Sequence, residues 1–161
     1  MEIRGEEITH RAAIRRIHLE AFSSAAEADL VDALRAEKSA ALSLVAVVEY
    51  GIVGHVMFSR MRSPRETLGL APVAVLREYR RRGVAAALIR EGLALSKASG
   101  WKSVFVLGDP AYYERFGFER RLAEGFNSKY AGPHLMALHF QPQSCVRSGA
   151  LEYAEAFESL V

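Results

Sequence analysis

Residues 73–88, Val-Ala-Val-Leu-Arg-Glu-Tyr-Arg-Arg-Arg-Gly-Val-Ala-Ala-Ala-Leu, constrain the fold most, because they read as a strand, a tight basic turn and a helix start. Downstream, Val84, Leu88, Ile89, Gly92, Leu93 and Leu95 recur with helical period over 83–99, and Gly100 is a natural stop. Val104 to Leu107 then form a short, wholly apolar run of the kind buried on both faces of a sheet. The succession is strand, helix, strand. The turn itself has the physics of an anion cradle. Small residues at Gly83, Ala85 and Ala86 let an anion approach backbone N–H groups that the helix leaves free, and the helix dipole adds favourable potential. Arg80, Arg81 and Arg82 add mobile positive charge. A solvated arginine run beside residues small enough for tight packing would produce the same pattern.

Around this unit the chain alternates between helical and extended patterns. Thr9 is the expected N-cap of a first helix with Ala13, Ile14, Ile17, Leu19 and Ala21 as its apolar stripe, ending near Phe22. A second helix carries Leu30, Val31 and Leu34 behind the acidic Glu27 and Asp29, which suit the positive end of a helix dipole. Residues 42–49 and 52–59 are rich in β-branched and aromatic types and flank Tyr50-Gly51, predicting an antiparallel hairpin. An exposed loop over 60–66 and a strand over 68–76 follow. Asp109-Pro110 announces a short helix to about Phe116, and Leu135 to Phe140 reads as one more strand. In the tail 148–161, Tyr153, Phe157 and Leu160 stand at near-helical spacing.

Composition narrows the function. With 21 basic against 19 acidic residues and a net charge of +2, no overall field marks a nucleic-acid or membrane binder. Arginines and a tyrosine do interleave over 77–82, but that cluster is short for a nucleic-acid surface. Cys145 is the only cysteine, so an intramolecular disulfide is impossible, no metal is expected, and a reducing cytoplasm fits. The N-terminus is charged where a signal peptide needs an apolar run, and no apolar stretch reaches about 18 residues.

The pattern Arg80-x-x-Gly83-x-Ala85 resembles the acyl-CoA loop of the GNAT superfamily of N-acetyltransferases, Gln/Arg-x-x-Gly-x-Gly/Ala, and Tyr113-x-x-x-Gly117-Phe118 resembles a second motif of that superfamily. Residues 104–118, together with Ile52-Val-Gly-His-Val-Met-Phe58 and Gly132-Pro-His-Leu-Met-Ala-Leu138, look like its YhbS-type branch. Two positions depart from the commonest pattern: Ala85 stands at the second glycine, and Pro110 where many members carry Asn. The resemblance covers most of residues 1–140. It implies an α/β (α+β) fold, with a mixed, mostly antiparallel central sheet, a parallel splayed strand pair and helices on both faces. It also implies one domain over 1–161 with the tail 141–161 packed on its body.

On the same resemblance, acetyl-CoA is the acetyl donor, gripped by Val73, Ala74, Val75, Arg80, Arg81, Arg82, Gly83, Val84, Ala85 and Ala86. A small-molecule or peptide amine attacks its thioester directly, Tyr113 is the general acid for the leaving thiolate, and the Val75 amide holds the oxyanion. Tyr112, beside Tyr113, is the alternative candidate for a packing aromatic. The general base stays open among Glu78, Asp109, His55, His134 and water, and Cys145 lacks a histidine near it in sequence. Acceptor specificity is expected from the first two helices, the loop 60–66 and the region 119–133. Oligomeric state is open, with dimers common in the superfamily. A non-catalytic acyl-CoA-sensing module is the alternative, keeping the cradle without turnover.

Overall fold

The structure, a computed structural model, describes residues 1–160. Its strands are β1 (Glu2–Gly5), β2 (Ala40–Val48), β3 (Gly51–Arg60), β4 (Thr67–Val75), β5 (Ser103–Leu107), β6 (Phe126–Asn127), β7 (Leu135–His139) and β8 (Gly149–Ala150). Its helices are α1 (Arg11–Ala21), α2 (Ala26–Ala36), α3 (Val84–Ala98) and the short α4 (Pro110–Tyr113). Six strands form one sheet in the order β1-β2-β3-β4-β5-β7, antiparallel throughout except for the parallel pair β4 and β5. β6 and β8 pair apart from it.

The period-2 alternation of strand side chains builds a core on each face of the sheet. Leu44, Ala46, Val56, Phe58, Val104, Val106 and Met136 meet Val84, Leu88, Ile89 and Leu93 of α3 on one face. Val45, Met57, Phe105, Leu135 and Ala137 meet Ile14 of α1 and Leu30, Val31 and Leu34 of α2 on the other. Leu88 and Ile89 are fully buried, each stabilising the fold by about 1.5–3 kcal/mol. The mixed sheet with helices on both faces is therefore the architecture that the strand, turn and helix pattern and the resemblance implied. Among the described residues no helix is long and apolar enough to cross a membrane.

Several details differ from the sequence reading. Thr9 is not an N-cap: it lies inside a 3-10 turn, Ile8–His10, where the Glu7 N–H donates to His10 Nδ1 at 3.0 Å and the His10 N–H to the Glu7 carbonyl at 2.9 Å. The hairpin turns on Glu49 and Tyr50, since Gly51 already pairs with Val48. β1 has no apolar alternation to betray it, because three of its four residues are exposed at the sheet edge. The tail is not helical at the start: β8 precedes a 3-10 turn, Glu155–Ser159, while Val161 lies outside the described residues. Leu151, Tyr153, Ala154 and Phe157 are buried in the α1/α2 core. Arg62 clamps this segment, donating from Nε to the Tyr153 carbonyl at 2.7 Å and from Nη2 to Glu158 at 2.8 Å. The loop 60–66 thus holds the tail instead of standing free.

One polar chain runs between α1 and the sheet. The Ser43 hydroxyl donates to Glu6 Oε1 at 2.7 Å, so it accepts from His55 Nε2 at 2.8 Å. His55 Nδ1 then carries no proton and accepts from His18 Nε2, also at 2.8 Å. Arg35 fixes the far end, donating to both oxygens of Glu6. Burial, reinforced by the Arg35 charge, lowers the His18 pKa to about 4, and burial with the His18 and Arg35 charges lowers His55 well below its ordinary value.

Both imidazoles are neutral when folded and protonate near their ordinary value when unfolded, so the unfolded chain binds more protons as pH falls. Stability is therefore expected to be fully present above pH 6.5 and to decline down to about pH 4, by roughly 3 kcal/mol for His18. Urea midpoints measured across that window read the slope; a flat profile would mean that the pair is not held neutral.

Candidate active site

β4 and β5 pair only through Thr67↔Ser103, Leu68↔Val104 and Gly69↔Phe105. Beyond Gly69, β4 carries a one-residue register shift opposite β3, between the pairs Val56↔Val73 and Phe58↔Leu70. Such a bulge bends a strand and strengthens its twist. Pro72 sits within it, where a missing N–H removes no β4–β5 bond. The two strands splay from that point.

The splay leaves β4 with an open backbone edge whose direction can be derived. The Leu76 N–H donates to the Val53 carbonyl at 2.9 Å, so Leu76, and by alternation Ala74, address β3. Val73 and Val75 therefore turn their N–H and C=O groups toward the splay. The Val75 carbonyl accepts from Arg80 Nε at 3.1 Å, consistent with that direction, and its amide stays open.

From Val75 the chain passes through a 3-10 turn, Arg77–Tyr79, into α3. Gly83 caps α3 at φ 80°, in the left-handed region, without a side-chain cap. Arg81 is also left-handed, at φ 61°. The Ala87 N–H donates to the Gly83 carbonyl, which leaves the amides of Val84, Ala85 and Ala86 without an intrahelical acceptor. A groove of about 510 Å³ lies over these amides, lined by Val73, Ala74, Val75, Arg80, Arg81, Gly83, Val84, Ala85 and Ala86. Tyr79, Tyr112 and Arg115 complete it. Free amides, a helix N-terminus and arginines together suit a di-anionic group.

α4 starts where Asp109 accepts from the Ala111 N–H at 3.1 Å with Pro110 behind it, as the sequence reading expects. The helix presents Tyr112 to the groove and Tyr113 to a second cavity, of about 480 Å³, on the α1/α2 side. Val73 lines both, so the two cavities adjoin at the splay. The Tyr113 ring packs edge-on against Tyr112 and Phe118, at 5.1 and 5.9 Å between centroids. Burial, with Tyr112 adding, pushes its phenol up to about 12, so it is protonated at neutral pH. A Cβ on Gly108 would collide with that ring, so only glycine at 108 leaves it room.

Residues 11–118 match the acetyltransferase (GNAT) family. The chain belongs to that family. It is 45% identical over 114 residues to YjhQ of Escherichia coli K12, an uncharacterized N-acetyltransferase, a match spanning 66% of this chain and 62% of YjhQ. To YhbS of the same strain, also an uncharacterized N-acetyltransferase, it is 37% identical over 143 residues, covering 84% of this chain and 86% of YhbS. The crystal structure of E. coli YhbS in complex with CoA superposes with a TM-score of 0.92 at 32% identity, over 99% of this chain and 93% of that one. A GNAT acetyltransferase from Brucella melitensis in complex with acetyl-CoA gives 0.83 at 34% identity, over 97% of each chain.

Within this GNAT frame the remaining candidates fall outside the two cavities. Arg82 lines neither; its guanidinium lies 5.5 Å from the centre of the Tyr79 ring. Arg115, which the sequence reading passed over, takes part in the groove, held by a bond from its Nε to the Tyr112 carbonyl at 2.8 Å. Asp109 is the helix cap, Glu78 is exposed, and His55 belongs to the buried chain ending at Glu6. His134 Nδ1 donates to the Gly108 carbonyl at 3.2 Å, bracing the residue that leaves room for Tyr113. The Cys145 thiol donates to the Lys102 carbonyl at 3.4 Å and lines neither cavity. Among the described residues no group of three or more His, Cys, Asp or Glu is placed to hold a metal ion.

A side chain at Gly83 meets open space, so its penalty comes from the left-handed φ alone. Gly83→Val is expected to destabilise the protein by roughly 1–2 kcal/mol, at about 2–4 °C in Tm per kcal/mol, and Gly83→Asn by less. Equal losses in calorimetric scans of the two variants would contradict the assigned backbone.

Proposed function

We propose that this chain is an acetyl-CoA-dependent N-acetyltransferase that moves the acetyl group directly onto an amine, with residues 1–161 acting as one catalytic domain in the cytoplasm. The observation that carries the reading is the junction at Val73, where the groove over the α3 amides adjoins the cavity into which Tyr113 projects. The coenzyme's diphosphate fits the amides at 83–86 with Arg80 and Arg81 beside it, and its amide-bearing arm fits the open edges of Val73 and Val75. The acetyl thioester is then presented to the second cavity, where the amine binds.

The residues divide the work. The Val75 amide donates to the oxygen on which charge develops as the amine nitrogen bonds to the acetyl carbon. Tyr113 gives its proton to the sulfur as the carbon–sulfur bond breaks, and regains a proton from the one that the attacking nitrogen sheds. A phenol held near 12 does not ionise at neutral pH, so its proton is in place when charge develops on the leaving sulfur. Holding both reactants at one junction supplies the remaining advantage, since it converts a bimolecular encounter into a local one.

Thiol release from acetyl-CoA with an amine panel, combined with calorimetric binding of acetyl-CoA, tests the reading. Tyr113→Phe is expected to lower kcat at least about 100-fold, the usual size of a general-acid contribution, and to leave the acetyl-CoA Kd within about twofold. Gly108→Ala, which displaces the ring, follows the same pattern more weakly. Binding of acetyl-CoA without turnover toward any amine would favour a sensing module.

A further inference from the structure

The cavity beyond Val73 has a chemistry of its own. Five of its lining residues are aromatic (Phe22, Tyr113, Tyr130, Tyr153 and Phe157), and most of the rest are aliphatic. Among the described residues Glu27 is its single charged residue, and no Lys or Arg lines it. Among the described residues Glu27 makes no hydrogen bond or ion pair, although the neighbouring acids Asp29 and Asp32 of the same helix are both bound to Arg15. It is half-buried rather than pointing freely to solvent. An unpaired carboxylate in an apolar wall is unfavourable unless a cation comes to it. Aromatic faces favour a cation and a flat apolar body alike. A volume of about 480 Å³ suits a small molecule rather than a folded chain.

Taking the transferase reading as its basis, we infer that the acceptor is a primary amine with one positive charge and an apolar, aryl-sized body, and that Glu27 is the residue that receives it. The geometry assigns Glu27 two tasks: it draws the ammonium into the cavity, and it takes the first proton, which the nitrogen must shed before it attacks, the second passing to Tyr113 after the bond forms. The proton passes from the ammonium to the carboxylate, and from there to solvent at the exposed side of α2. The freed lone pair forms the new carbon–nitrogen bond as the carbon–sulfur bond breaks. Polycationic amines are disfavoured, because their further charges would face aromatic walls with one carboxylate among them.

2-Phenylethylamine serves as the probe, with spermidine and kanamycin as polycationic controls. Calorimetry on the wild-type chain is expected to show binding of phenylethylamine, and Glu27→Gln to weaken it at least tenfold while leaving the acetyl-CoA Kd and the Tm unchanged. The uncharged 2-phenylethanol is expected to bind both forms equally. In turnover, Glu27→Gln is expected to lower kcat/KM at neutral pH and to recover as pH approaches the amine's own pKa, about 10. No binding of phenylethylamine, or equal binding by Glu27→Gln, overturns the inference. Turnover confined to spermidine or kanamycin overturns it while the transferase reading stands. Binding that depends on Glu27 without any acetyl transfer overturns the transferase reading and the acceptor role with it, leaving Glu27 as an amine-binding residue only.

Discussion

The hydrogen-bond ladder between β4 and β5 stops at Gly69 and Phe105, yet both strands continue, to Val75 and to Leu107. Backbone N–H and C=O groups inside a fold have to find partners, so an interrupted ladder is a demand as well as an opening. Part of the demand is met within the chain. The Val75 carbonyl takes Arg80. What remains is the amide edge of Val73 and Val75, a polar strip between two apolar cores. A ligand that carries its own amides can complete such a strip much as another strand would, which is the physical reason for locating the coenzyme arm there.

The same strand feeds the turn at the N-terminus of α3, so strip and groove are one continuous surface over residues 73–86. Two left-handed residues, Arg81 and Gly83, let the turn reverse within that length and aim the first amides of α3 back at the strip. The dipole of a 15-residue helix then points its positive end along the groove. On the proposed reading, anion grip and arm alignment depend on the same register between β4 and β3. A one-residue slip in that register would turn Val73 and Val75 toward β3 and remove the strip.

What was legible in the sequence is what is local. Helix α3, its stop at Gly100 and the Asp109-Pro110 start of α4 are written in neighbouring residues, because caps and helix periods act over a few positions. β1 was invisible because an exposed edge strand has no apolar face to alternate. Thr9 misled because the first turn is closed by an imidazole at His10, outside the usual Ser, Thr, Asp or Asn vocabulary. The residues lining the groove were readable as a motif, but that Arg82 lies outside the groove and Arg115 lies in it was not. Those depend on which way Tyr79 and α4 face once folded, as Arg82 stacks on one ring and Arg115 lies 4.4 Å from the centre of Tyr112. Glu27 looked like a favourable first-turn acid, and it is one. That it also lines a cavity follows only from how α2 meets the sheet and the tail.

The cavity on the α1/α2 side is therefore the least local part of the molecule. Its walls come from Phe22 just after α1, from α2, β4, the end of β5, α4 and Tyr130, and from Tyr153, Phe157 and Leu160 in a tail that Arg62 straps down from the loop after β3. With a net charge of only +2, the chain has no global field to steer reactants, so local charges decide which enters where. The two cavities meet at Val73 with opposite signs: Arg80, Arg81 and Arg115 on the groove side, Glu27 alone on the other. On the proposed reading, an anionic donor is repelled from the carboxylate and held by the guanidiniums, while a cationic acceptor is repelled by the guanidiniums and drawn to the carboxylate. Sorting by sign would keep each reactant out of the other's cavity and bring the two together only at the splay, where the open amide of Val75 and the proton of Tyr113 are placed to act.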